Sequence, residues 1–152
     1  MKKSDNKSAI LWGSLSLLML LFIYGQSMLP PNESGNLSGF FLTYLKPILD
    51  PFGLFDPEAV HLFIRKAAHF TEYALFSLFF AQFCGKMRWN NVVFPLFISL
   101  FVAVSDEFLQ SFTGRGSSVR DIVLDFSGAL FGFCIVWLLS RKFLKKENEN
   151  EA

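Results

Sequence analysis

The chain has 152 residues, enough for one domain, and 52% of them are apolar, 20 being phenylalanine. A soluble domain averages about 45–50% apolar, so the distribution matters more than the total: charges sit in short blocks with long apolar runs between them. The formal net charge of +1 argues against a nucleic-acid-binding protein.

Lys2, Lys3 and Lys7 precede an apolar run from Ala9 to Tyr24. This resembles the start of a signal peptide, but no small-x-small cleavage site follows, so an uncleaved first membrane helix is expected. Extension to Ser27 supplies the roughly 20 residues that a hydrocarbon core of about 30 Å requires. Ser27 is expected to end that helix in water. Pro30, Pro31, Pro47, Pro51 and Pro57 then rule out one continuous helix across 28–56. The apolar piece Phe40 to Leu45 inside it is too short to span, and is expected to lie along the surface or to dip in and return.

A second long helix is expected from Asp56 to Phe83. Asp56 suits the N-cap, Pro57 the first helical position, and Glu58 the positive end of the helix dipole. Its first half carries His61, Arg65, His69 and Tyr73 four apart, hence on one stripe, with Glu72 beside it. Cys84 to Asn91 is a turn. Val92 to Gln110 forms the third helix, with Pro95 in its first turn and Ser99, Ala103, Asp106 and Gln110 on one face. The fourth runs from Val119 to Phe143. Ser118 and Asp121 resemble a capping box, and Asp121, Asp125, Gly128 and Gly132 mark one stripe. The expected fold is therefore an all-α membrane protein of four transmembrane helices, a transmembrane domain over 1–144 with a charged, disordered tail over 145–152. Cys84 and Cys134 stand in apolar contexts without a CxxC or HExxH pattern and read as packing residues. Trp12, Trp89 and Trp137 read as interfacial or packing residues.

Four spans put both termini on one side. Lys2, Lys3, Lys7, Lys86, Arg88, Arg141, Lys142, Lys145 and Lys146 share that side, against Lys46, Arg65, Lys66, Arg115 and Arg120 opposite. By the positive-inside rule the termini are cytoplasmic. At 1.5 Å per residue, His69 and Tyr73 then lie about 5–10 Å below Lys66, and Asp106, Glu107 and Asp125 at about the same depth below their own helix ends. A carboxylate near the bilayer centre costs roughly 2.5–3.5 kcal/mol on insertion scales, so the acids need partners. For each residue a plain structural role competes: an ion pair of Asp106 or Glu107 with Arg65, Lys66 or Arg115, a packing role for His69, a cap for Asp121, an interfacial role for Tyr73, His61 and Arg120. Their agreement in depth and side favours one network or one ligand site.

The segments Arg65-Lys66-Ala67-Ala68-His69-Phe70-Thr71-Glu72-Tyr73, Ser105-Asp106-Glu107-Phe108-Leu109-Gln110-Ser111-Phe112, Arg115, and Asp121 to Gly128 resemble the VanZ-like family of small bacterial membrane proteins over about residues 10–140. The spaced motif is KxxHFxxY, DExxQxF, R, DxxxDxxG. The family often has Asn where this chain has Asp125, which keeps an acceptor and adds a charge. The family is named for a protein linked to teicoplanin resistance, which implies a bacterial cell-membrane protein contributing to tolerance of glycopeptide antibiotics.

Three functions follow as expectations. In the first, a non-enzymatic envelope factor binds a lipid head group, a lipid-linked wall precursor or the lipoglycopeptide itself. Arg65, Lys66 and Arg115 would meet phosphate or carboxylate, and Asp106, Glu107, Gln110 and Asp121 would orient those bases or accept ligand donors. Glu72, Tyr73 and Asp125 complete that candidate binding set. In the second, an intramembrane enzyme modifies an envelope lipid, with His69 as general acid or base and Glu107 or Asp106 orienting it. No GxSxG or paired-His pattern supplies a nucleophile. The acids could hold Mg²⁺, but nothing in the spacing demands it, and no metal site or cofactor is assigned. In the third, the ion network only holds the helices together, a costly device where apolar packing serves as well.

Overall fold

The computed structural model describes residues 3–30, 43, 56–89, 91–114 and 116–150. The expected surface or re-entrant segment at Phe40 to Leu45 lies outside them apart from Thr43, and so does Arg115. The described chain contains helices α1 (Lys3–Ser27), α2 (Pro57–Lys86), α3 (Val93–Phe112) and α4 (Val119–Asn150).

Three stretches are long and apolar enough to cross a membrane: Asn6–Ser27, Val93–Phe112 and Val119–Arg141, of 22, 20 and 23 residues. At 1.5 Å per residue each matches a hydrocarbon core of about 30 Å. Their outward faces carry Leu18, Leu21, Phe97, Phe101, Phe108, Val123 and Phe131, all more than half exposed. Apolar surface on that scale suits lipid and not water. The 30 residues of α2 are also long enough, at about 45 Å, but too many of them are polar to qualify by composition. Position explains this: α2 packs against all three other helices, so its polar stripe meets protein rather than lipid.

The core draws on every helix, with Ile23 from α1, Tyr73 and Phe76 from α2, Val102 and Ala103 from α3, and Ala129 from α4. The closest approach joins α4 to α2. A Cβ on Gly128 would run into the backbone carbonyl of Phe70, and one on Gly132 into that of Ala74. The GxxxG spacing of α4 thus works within the chain, letting two helix backbones touch. At the opposite end from the acids, aromatic rings contact one another at the edge of the bundle. Trp12 meets Phe79 at 5.8 Å, and Trp89 meets Phe94 edge-on at 5.2 Å. Cys84 is buried as expected, whereas Cys134 is exposed on the outer face of α4.

The helix ends differ in part from expectation. Asp56 occupies the N-cap position of α2 and is exposed, but its side chain makes no capping hydrogen bond. The α2 C-terminus closes in a Schellman motif: Trp89 N donates to Cys84 O at 3.0 Å and Arg88 N to Gly85 O at 3.1 Å. Arg88 holds the left-handed position with φ 58°. A Cβ there costs about 1 kcal/mol. Arg88→Gly is therefore expected to stabilise the protein by about 0.5–1 kcal/mol, read as a small rise in melting temperature in detergent. The last helix continues past the expected limit at Phe143 to Asn150, through Lys145, Lys146, Glu147 and Glu149, which are good helix formers.

Candidate functional site

The polar end of the bundle begins with a rim. Lys66 on α2 pairs with Asp121 in the first turn of α4, with side chains 41% and 33% exposed. A pair this open to solvent contributes about 0–1 kcal/mol. Lys66→Met is expected to leave the melting temperature almost unchanged, so any loss of activity in that variant reports on ligand contact and not on folding.

Below the rim lies a buried layer. Asp106 of α3 is fully buried, and both its carboxylate oxygens accept. Ser27 Oγ donates to Oδ1, and Gln110 Nε2 to Oδ2 at 3.0 Å, one turn further along α3. Gln110 also reaches Ser27 Oγ at 3.4 Å. On α2, Glu72 Oε1 accepts from Gln26 Nε2 at 3.1 Å, and Glu72 Oε2 lies 3.9 Å from His69 Nδ1. Tyr73 is wholly buried beside Asp106 and Asp125. Asp125, one turn beyond Asp121 on α4, is 1% exposed, and its Oδ1 has no hydrogen-bond partner among the described residues. One ligand-capable atom from each of His69, Asp106 and Asp125 falls within 4.8 Å of the others.

Glu107 points elsewhere. Its Oε2 accepts from the backbone N–H of Ser118 at 2.8 Å. In a capping box that role belongs to the third residue of the helix, here Asp121. Asp121 is turned to Lys66 instead, so the expected box is not formed. Ser118 still caps locally: its Oγ accepts from Arg120 N at 3.2 Å. The acid that completes the cap comes from α3, which ties the end of one helix to the start of the next.

The candidate residues thus divide. His69, Tyr73, Asp106, Gln110 and Asp125 share the buried layer with Glu72 beside it. Lys66 and Asp121 form the rim, Arg65 is half-buried one turn before His69 on α2, and Glu107 braces the α3–α4 junction. The contribution of α1 was not legible. Ser27 is buried at 1% exposure and bonded to Asp106, rather than ending the helix in water. Its carbonyl also accepts from Thr113 Oγ1 at 3.3 Å, and Tyr24 hydroxyl meets Ser105 Oγ at 2.6 Å. A few polar residues close any membrane helix, so nothing in their pattern singled these out.

A family model described as VanZ/LLP1 matches residues 9–140. The chain belongs to the VanZ/LLP1 family. No curated protein and no solved structure matches it. The matched span contains all four candidate segments, so the buried layer lies wholly inside the VanZ/LLP1 region. Chemically that layer is rich in acceptors. Carboxylate oxygens and an imidazole can receive a cation, an ammonium group or sugar hydroxyls, and His69 close to Asp106 can pass a proton.

Proposed function

We propose that this VanZ/LLP1 membrane protein acts in the cell envelope of bacteria, contributing to tolerance of teicoplanin-type antibiotics by binding a polar envelope ligand at its acid-rich end. The observation that carries this reading is the buried layer of Tyr73, Asp106, Gln110 and Asp125, with His69 half-buried beside it, beneath the Lys66–Asp121 rim. A helix bundle in lipid gains little from burying such groups, and their meeting at one depth favours a site over scattered packing. The basic residues near both termini and the 84–91 turn favour cytoplasmic termini, which turns the acid-rich end toward the outer leaflet. Lipid head groups, lipid-linked wall precursors and lipoglycopeptides all present phosphate, carboxylate and hydroxyl groups there. Lys66, Arg65 and Arg115 are the donors for the anions, and the buried acids accept from hydroxyl or ammonium.

The test replaces His69 with Gln and, separately, Lys66 with Met in an expressing strain. Membrane abundance, melting temperature and teicoplanin susceptibility are measured together. Restored susceptibility with normal abundance and melting is the expected outcome. Unchanged tolerance in both folded variants would remove the binding reading.

A second reading is favoured by the closeness of His69 to Asp106: an intramembrane enzyme using them as acid and base on an envelope lipid. Purified protein incubated with labelled envelope lipids separates the two, since a product of altered mass appears only if the chain turns them over.

A further inference from the structure

Two buried aspartates face one another across α3 and α4, and this places a specific demand on the site. Two carboxylates whose oxygens lie within 4.8 Å repel strongly where water is excluded. Lys66, at the same end of the bundle, is engaged at the rim with Asp121. Asp106 is satisfied by Ser27 and Gln110, donors that hold its carboxylate at a fixed angle. Asp125 Oδ1 is buried and accepts from nothing among the described residues. It lies in the same cluster as Asp106 and an imidazole nitrogen of His69.

We propose that His69, Asp106 and Asp125 bind one divalent transition-metal cation between α2, α3 and α4. Charge supports this, since a divalent ion offsets the two carboxylates that would hold it, while Glu72 and Glu107 add negative charge nearby. Donor type narrows it further. One imidazole nitrogen with two carboxylate oxygens suits Mn²⁺ or Zn²⁺, whereas Mg²⁺ and Ca²⁺ prefer oxygen alone. Three protein ligands leave a position open, as in sites that also take a ligand from outside. Ser27 and Gln110 supply the supporting hydrogen bonds that such ligands require. His69 provides the way in, because its side chain is 18% exposed while the two aspartates are sealed. The cation deepens the binding reading above, resting on the same polar layer, and would give the anionic part of an envelope ligand a positive partner.

The experiment uses the full chain, purified without a histidine tag in detergent, with Mn²⁺ as the probe. The chain has two histidines, His61 and His69, so the nitrogen ligand can be assigned. Electron paramagnetic resonance should show loss of the free-ion signal at one equivalent, ¹⁴N coupling to the bound ion, and displacement by Zn²⁺. Asp125→Asn should weaken binding by about tenfold or more. His61→Gln should keep the nitrogen coupling and His69→Gln should lose it. If His69→Gln does not fold, retention of coupling in His61→Gln makes the same assignment. A folded wild-type chain that leaves the Mn²⁺ signal free overturns the proposal, and a shared proton then holds the carboxylates together. So does nitrogen coupling that disappears in His61→Gln. Ion binding without any effect of His69→Gln on tolerance keeps this inference and removes the antibiotic role.

Discussion

Gly132→Ala is expected to destabilise the protein by about 2 kcal/mol, and Gly132→Leu to prevent folding. The sign is the informative part. In a helix free of tertiary constraint, Gly→Ala gains about 1 kcal/mol of propensity. At Gly132 the new methyl group would meet the Ala74 carbonyl and at Gly128 the Phe70 carbonyl, both backbone atoms of α2. Neither can yield alone, because each belongs to a helix ladder. The methyl must instead push α2 and α4 apart, and overpacking of that kind typically costs about 1–3 kcal/mol, or more where the neighbour cannot move. Separation would also disturb the site, since His69 and Asp125 flank the Gly128 contact. Gly25 is the control. Nothing lies within 4 Å of a Cβ there, so Gly25→Ala should leave stability equal or raise it slightly. Melting temperatures in one detergent decide the matter; equal behaviour of Gly25→Ala and Gly132→Ala would show that the α2–α4 contact is looser than described.

Asp106→Leu is the second large effect, at about 2–5 kcal/mol. The leucine is close in size, so little packing is lost. What is lost is the acceptor for Ser27 Oγ and Gln110 Nε2. Each buried donor left without a partner costs about 1–3 kcal/mol. Asp106→Asn keeps one oxygen as acceptor and removes a charge from beside Asp125, so it should cost much less. An order in which Leu is tolerated better than Asn would show that charge repulsion, not hydrogen bonding, dominates at this position. The pair also separates folding from activity: Asp106→Asn is expected to melt near the wild type while losing cation affinity.

Much of this was legible along the chain. Apolar run lengths marked α1, α3 and α4, and the four-residue spacing of His61, Arg65, His69 and Tyr73 marked a polar stripe of α2 that is half-buried at the first three positions and fully buried at Tyr73. Helical rise alone brought His69, Asp106 and Asp125 to a common depth. The Asp121, Asp125, Gly128, Gly132 stripe likewise anticipated the inner face of α4. Pairings were much less legible. Asp106 and Glu107 are adjacent, chemically alike and both buried, yet one meets Ser27 and Gln110 and the other caps α4 through Ser118. Successive residues on a helix point about 100° apart, and only the position of the neighbouring helices decides what each then meets.

Sequence by itself determined that the chain is helical, that it is built for lipid, and that its acids gather at one end, because hydrophobicity and periodicity are local properties that survive without knowledge of the neighbours. Tertiary structure alone decided that Ser27 of α1 joins Asp106, that Lys66 takes Asp121, and that Asp125 faces His69 across the Gly128 contact. Those partnerships depend on how closely helices approach and how they are rotated about their axes, and packing of the whole bundle sets both.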